Sequence, residues 1–302
     1  MKLIAPDYYL NFECIADRCR HSCCIGWEID IDEETLVHYR SVSGDFGKRL
    51  REGIVEEDGV AHFRLCEDER CPFLNEKGLC DIILTLGEDA LSQICTDHPR
   101  FCSFFSDRTE IGLGLCCEEA ARLILSKREK AILTVLEDDG EDEPLTREED
   151  TLFSLRDQLF ILAQDREKTL DERMAEILSF VGADLPQRSR EEWIDIYLSL
   201  ERMDDAWSKL LTEAKAFQGD AVLLDDEIPF EQLLVYFIYR HLSDTEADAV
   251  KKVSFAVLSV CFIRMLCAVH RDKPGMTEIC RLYSSEIEYS EENTSVLTED
   301  WL

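Results

Sequence analysis

The stretch from Cys14 to Cys24 reads Cys-Ile-Ala-Asp-Arg-Cys-Arg-His-Ser-Cys-Cys and gathers four thiols within eleven residues. Downstream follow Cys71-Pro72-Phe73-Leu74 with Cys80, then Cys95 with His98-Pro99-Arg100, then Cys116-Cys117. Of 14 cysteines in the chain, eleven lie between Cys14 and Cys117. Thiolate sulfur is a soft donor for zinc and iron, and four such ligands close either a tetrahedral zinc site or a four-iron cluster. In a reducing compartment disulfides do not persist, so cysteine at this density points to metal or redox chemistry. There are more thiols than one four-coordinate centre can use, so either two centres form or some cysteines are packing residues. No spacing matches the C-x2-C…C-x2-C ribbon of a structural zinc module, and ligands from distant loops suit an iron-sulfur cluster at least as well.

A metal centre substitutes for part of a hydrophobic core. The N-terminal third, with short apolar runs punctuated by Gly, Pro and Cys, is therefore expected to be loop-rich with short helices. Asp32 is placed to N-cap a helix starting at Glu33, residues 87–95 carry a helical Leu86, Leu91, Ile94 pattern, and Glu118-Glu119 opens a helix predicted to run to about Leu136. Cys116-Cys117 precedes that helix, where the helix dipole favours a thiolate. His98 reads either as a companion ligand to Cys95 or as a structural histidine, and His21 is the weaker candidate. Cys66 and Cys102 fit no metal spacing and read as small packing residues, while Cys261, Cys267 and Cys280 lie in apolar helical surroundings and read as core.

The second half has a different grammar. Leu152, Leu155, Leu159 and Leu162 share one helical face, and similar patterns cover Met174 to Val181, Trp193 to Leu200, Ala206 to Phe217, Phe230 to Leu242 and Val250 to Val269. The fold class expected is mainly α, a cysteine-cluster region followed by a helical bundle. The acidic run Glu137 to Pro144 reads as a linker, dividing a metal-cluster domain, 1–136, from a helical domain, 145–302. No internal repeat is present, and the polar tail from Ser284 to Leu302 is expected to fray.

The formal charge of -32, from 65 acidic against 33 basic residues, opposes binding to a phosphate backbone, so nucleic acid is excluded as a partner. Such charge favours a basic substrate such as exposed protein lysines, and solubility accounts for it equally well. The first residues lack the pattern of a secretory signal, which points to the cytoplasm. The apolar stretch Val253 to Val269 carries Arg264 and falls short of the roughly 20 apolar residues that span a bilayer, so it reads as a buried helix without membrane insertion.

The run Cys14-x4-Cys19-x3-Cys23-Cys24-x-Gly26-Trp27, continued by Ile29-Asp30-Ile31-Asp32, resembles the flagellin lysine-N-methylase family. Matches continue in order through Cys71-Pro72-Phe73-Leu74, Leu79-Cys80, Leu86-Gly87, Ala90-Leu91-Ser92, Cys95, Pro99-Arg100, Leu115, Cys117 and Glu119. They extend to Tyr236-Phe237-Ile238-Tyr239-Arg240-His241 and Ser254-Phe255-Ala256-Val257-Leu258-Ser259. The resemblance implies transfer of methyl groups from S-adenosylmethionine to lysine side chains of flagellin, and association with a [4Fe-4S] cluster. It implies a ligand pool of Cys14, Cys19, Cys23, Cys24, Cys71, Cys80, Cys95 and Cys117, with zinc as the alternative metal. A competing reading is a non-catalytic zinc- or iron-chelating module with a helical partner-binding domain.

The motifs of common S-adenosylmethionine folds are missing. Gly112-Leu113-Gly114 is the only candidate for a glycine-rich cofactor turn, and Gly26 stands where the C-x3-C-x2-C pattern would need its third cysteine after Cys19 and Cys23. Methyl transfer to an amine requires a neutral lysine nitrogen in line with the sulfonium methyl, and aromatic faces help to hold such cations. Trp27 is the first candidate for such a wall, with Tyr236 and Tyr239 behind it, and Asp30, Asp32 and Glu119 are candidates to orient the amine. The residues alone assign neither a catalytic base nor a cofactor site.

Overall fold

The computed structural model describes residues 1–302 except 58, 142, 220–223, 247, 271–274, 301 and 302, and the side chains of Asp68 and Asp300. In chain order its elements are β1 (Lys2–Pro6), β2 (Asp30–Ile31), α1 (Glu33–Ser41), α2 (Gly44–Gly53), β3 (Ile54–Glu57), β4 (Val60–Phe63), α3 (Asp81–Leu86) and α4 (Gln93–Asp97). Then come β5 (Arg100–Phe104), β6 (Arg108–Leu113), α5 (Glu118–Ser126), β7 (Leu133–Asp138), α6 (Arg147–Ala163), α7 (Leu170–Val181), α8 (Arg190–Ser199) and α9 (Asp205–Ala216). The chain finishes with α10 (Ile228–His241), α11 (Ala249–Val269), α12 (Met276–Tyr283) and α13 (Glu291–Asp300). Two units form: residues 13–100 make the smaller, and residues 1–12 with 101–302 the larger.

The architecture is mixed α/β, which corrects the mainly α expectation: 13% of the residues are strand, in a four-stranded and a three-stranded sheet. The strands of the larger sheet, ordered β5-β6-β1-β7, come from four short and separated segments, too short for periodicity to distinguish from loop or helix. β1 runs parallel to β6 and antiparallel to β7. The helix predicted from Glu118 to Leu136 stops at Ser126. Past the charged run Lys127 to Lys130, the β-branched Thr134 and Val135 pair with β1 instead. The 87–95 segment likewise breaks up, because Gly87 ends α3 at φ +95, Glu88–Ala90 is a single 3-10 turn and α4 starts only at Gln93. The acidic stretch read as a linker begins inside β7, and its Asp142 lies outside the described residues.

In the larger unit, capping boxes at Thr146/Glu149, Thr169/Glu172 and Ser189/Glu192 start α6, α7 and α8. α10 is buried on every side from Phe230 to Tyr239, and α11 packs beside it as a core helix, its Arg264 ion-paired with Asp171. α11 is long and apolar enough to cross a membrane, yet 78% of its most apolar window is buried in this unit. The tail does not fray over its described length: Ser284–Glu288 forms a π-helical turn, and Ile287 and Leu297 are fully buried.

The smaller unit is built on the sheet β2-β4-β3, whose register sets Asp30 opposite His62, Ile31 opposite Ala61 and Val55 opposite His62. Alternation then sorts the faces. Ile29, Ile31, Ala61 and Phe63 turn inward to pack with Tyr39, Leu50, Phe73 and Ile82. Arg49 pins α2 to the start of α3 and to the loop before it, donating to Asp81 at 2.6 Å and to the Pro72 carbonyl at 2.6 Å.

Candidate metal centre

Four separate pieces of chain deliver thiols to the edge of this small core. The Cys24 carbonyl accepts from the Cys71 amide at 2.8 Å, and Ile25 bridges to Arg70, so the first two motifs meet through their backbones. Leu74 bridges to Cys80, folding the segment between them into a tight loop that ends at the start of α3. α4, begun at Gln93, carries Cys95.

The result is a quartet. Among Cys24, Cys71, Cys80 and Cys95 every one of the six pairings is close enough for one thiol's charge to perturb another's titration. All four also pack on the smaller core, with Cys71 itself buried. Burial pushes the Cys71 thiol up to about 12 and the Cys95 thiol up to about 11, and raises Cys80 as well. Cys24 moves the other way, held down by a hydrogen bond from Cys23 and aided by Ser22 and the Arg70 guanidinium.

Donors already aim at these sulfurs. Backbone amides of Ile82 and Ile83, at the first turn of α3, point at Cys80, and that of Phe73 points at Cys71. Ser92 is 1% exposed, its Oγ without a conventional hydrogen-bond partner and set beside Cys95. Arg70 is held in place by the Leu74 and Asn75 carbonyls at 3.2 and 2.7 Å. These donors favour the thiolate form that metal binding demands, and so oppose part of the larger effect of burial.

The other sequence candidates are placed differently. Cys23 is within reach of Cys24, Cys95 and the exposed Cys14, at the rim of the quartet. Cys19 donates to the His21 carbonyl at 2.6 Å. Cys117 belongs to the larger unit, at the N-terminus of α5. Of the pair Cys116-Cys117, for at least one of which the helix dipole favours a thiolate, Cys116 is pushed up to about 12 by burial. Cys66 and Cys102 are exposed and so are not packing residues, whereas Cys267 and Cys280 are core. His98 lies beside Trp27, with ring centroids 6.1 Å apart, and burial lowers its pKa to about 4.

Of the candidates to hold or orient an amine, Tyr236 and Tyr239 are buried in the larger unit, where both line a small cavity with Tyr8 and Phe160, and Glu119 is bound to Arg122. Asp32 caps α1 through Thr35 at 2.9 Å and also accepts from the Gln93 amide at 2.8 Å. Trp27 does face open space, lining a cleft of about 400 Å3 together with Glu28, Val55, Glu57, His62 and Glu69. Sequence reasoning overlooked Ser92 and Arg70 as neighbours of the sulfurs. Ser92 sits three residues before Cys95, and that spacing across a helix start was the available signal.

A profile of the family described as FliB lysine N-methylase C-terminal domain matches residues 111–300, all within the larger unit. Lysine-N-methylases of Salmonella choleraesuis and Salmonella typhimurium are each 26% identical to this chain over 159 residues, 50% of this chain and 40% of their own length. A flagellar biosynthetic protein FliU of Salmonella muenchen is 28% identical over 127 residues, 40% of this chain and 75% of its own length. The matched region thus covers less than half of the two lysine-N-methylases. No solved structure matches.

Proposed function

Since the chain belongs to the FliB lysine N-methylase family, we propose that it is a protein-lysine N-methyltransferase that methylates flagellin in the cytoplasm at the expense of S-adenosylmethionine. The names of its relatives support the reaction and, through the flagellar protein among them, the substrate. In this reading a four-iron cluster is held by Cys24, Cys71, Cys80 and Cys95, and the mutual proximity of those four thiols is the observation that carries it.

The donor set fits such a group. Zinc–sulfur bonds of about 2.3 Å set thiolates about 3.8 Å apart around a tetrahedral ion. Four thiolates delivered by separate loops suit either that ion or a four-iron cluster. When bound, a cluster supplies a rigid cross-link between loops that have little other core. The protein's own residues contribute the rest: the α3 amides, the Phe73 amide and Ser92 donate toward sulfur, and Arg70 offsets charge.

In the reaction the neutral lysine nitrogen attacks the methyl carbon while the carbon–sulfur bond breaks. The sulfonium leaves as a thioether, and the methylated ammonium loses a proton to solvent. Lysine, with an unperturbed pKa of about 10.4, must first be deprotonated.

The test is purification without oxygen, measurement of iron and visible absorption, and incubation with flagellin and methyl-labelled S-adenosylmethionine. The expected result is a brown protein that labels flagellin lysines, that loses iron in Cys71→Ser and Cys95→Ser and that keeps it in Cys66→Ser. A colourless zinc protein that transfers no label, with flagellin that another lysine-N-methylase does modify, would overturn the reading in favour of a chelating module.

A further inference from the structure

We propose that Glu28, Asp30 and His62 form a second metal site, for one divalent cation of the manganese and zinc class, on the outer face of the three-stranded sheet. The register of β2 and β4 sets Asp30 directly opposite His62, and the inward turn of Ile29, Ile31, Ala61 and Phe63 sends the alternate positions outward. Glu28, two residues before Asp30, joins them on that side. The backbone thus assembles the trio without help from an ion.

One ligand atom from each of the three lies within 4.8 Å of the others, and His62 Nδ1 is 3.1 Å from Glu28 Oε1. Among the described residues no other group of three His, Cys, Asp or Glu side chains converges in this way. The two carboxylates are exposed and the imidazole is half-buried, which leaves an ion a route in. One imidazole nitrogen and two carboxylate oxygens make a harder donor set than the cysteines, of the kind that takes Mn2+ or Zn2+. Two carboxylates also balance the ion's charge. The site shares no residue with the cysteine quartet.

Glu28 and His62 also line the cleft beside Trp27, so water or a small anionic or carbonyl-bearing ligand has room to approach an ion held by them. Glu57 and Glu69 add negative charge to the cleft wall, against the single guanidinium of Arg64. The Trp27 indole is fixed by its donation to the Cys23 carbonyl at 2.6 Å, which ties this wall to the first cysteine motif.

The probe is Mn2+ alone, which has little affinity for thiols. The full chain is titrated at physiological salt, which screens diffuse binding to the acidic surface, and binding is read as loss of the free-ion electron paramagnetic resonance signal. The expected result is one saturable ion per chain, displaced by Zn2+ and bound at least tenfold more weakly by Asp30→Asn and by His62→Ala, with circular dichroism unchanged. Glu28→Gln provides a third variant if either of those unfolds, and Glu57→Gln is expected to bind as the parent does. Absence of a saturable site, or equal affinity in parent and variants, would overturn the proposal. So would weakening confined to Glu57→Gln, which would reduce the effect to general charge in the cleft.

Discussion

Tyr236 donates its hydroxyl proton to the Glu288 carboxylate, with 3.1 Å to each oxygen, in the buried interior of the larger unit. The same carboxylate receives Arg240 Nε at 3.2 Å and His241 Nε2 at 2.9 Å, and the Tyr236 oxygen accepts from the Leu115 amide at 3.2 Å. Burial alone would raise the Glu288 pKa, but the Arg240 charge and the His241 hydrogen bond more than offset it and hold the carboxyl below its usual range. Removing one partner of a buried pair leaves the other uncompensated, which typically costs about 3–5 kcal/mol. Glu288→Gln is therefore expected to lower the urea midpoint at neutral pH by a stability loss of that size. Tyr236→Phe, which strands the Leu115 amide, should cost about 1–3 kcal/mol. A midpoint unmoved by Glu288→Gln would show that Arg240 finds another partner.

Asp32 holds the starts of two helices with one side chain, α1 through Thr35 and α4 through Gln93. Its carboxyl is somewhat desolvated, which alone would raise its pKa, yet the Gln93 and Thr35 amides hold it below the usual carboxylate range. Loss of a helix cap costs about 1–2 kcal/mol. Asp32→Ala should lose that much by denaturant titration. It should also loosen the start of α4 two residues before Cys95, read as faster amide hydrogen exchange across residues 93–97 than in the parent. Asp32→Asn keeps one good acceptor and should recover part of the stability. Unchanged exchange in Asp32→Ala would show that α4 is held by its packing instead.

The helical half of the fold is legible in the sequence because long apolar faces at i, i+3 and i+7 admit one reading, and α6 to α11 lie where those patterns place them. The four-stranded sheet is not legible, because each strand is five or six residues long and, the β5–β6 pair apart, its partners lie far away in sequence. Leu133–Asp138 illustrates this: its apolar residues continue the spacing of α5, and only pairing with β1 makes the segment a strand. Cysteine spacing announces soft-donor chemistry, but not which thiols meet. That depends on the Ile25–Arg70 and Leu74–Cys80 bridges, which no spacing records. The carboxylate and imidazole trio escapes for the same reason, since Asp30 and His62 are neighbours only across β2 and β4.

Gly112, from the incomplete Gly112-Leu113-Gly114 match to a cofactor-binding turn, is a packing glycine in β6. A Cβ at this position would stand 2.2 Å from Phe101 Cζ and less than 3 Å from two further ring atoms. The ring has little freedom to retreat, because Arg240 lies 5.0 Å over it and Tyr239 packs 6.0 Å away. Overpacking of this kind costs about 1–3 kcal/mol, whereas Gly to Ala in an open strand gains about 0.5–1 kcal/mol. Gly112→Ala should therefore destabilise the parent, and the sign should lessen or reverse in a Phe101→Leu background. Equal effects in both backgrounds would show that the clash is not with the ring.

Glu149 joins the capping box of α6 to the turn after β5, accepting from the Thr146 amide at 2.8 Å and from the Ser106 amide at 2.8 Å. The Thr146 amide is the largest influence on its pKa, and with Ser106 it outweighs desolvation and brings the carboxyl from 4.5 down to about 2. A carboxyl whose pKa is lower in the folded than in the unfolded chain gives stability that is fully present above the unfolded value and is lost as pH falls toward the folded one. The contribution of Glu149 should thus be complete at pH 6 and decline between about pH 5 and about pH 2. Other carboxylates protonate over the same range, so the informative quantity is the stability gap between the parent and Glu149→Gln, measured by urea unfolding at several pH values. The gap should be widest at pH 6 and narrow steadily on acidification, because the glutamine has no charge to lose. A gap that is constant from pH 6 to pH 3 would mean that Glu149 acts through the shape of its hydrogen bonds and not through its charge.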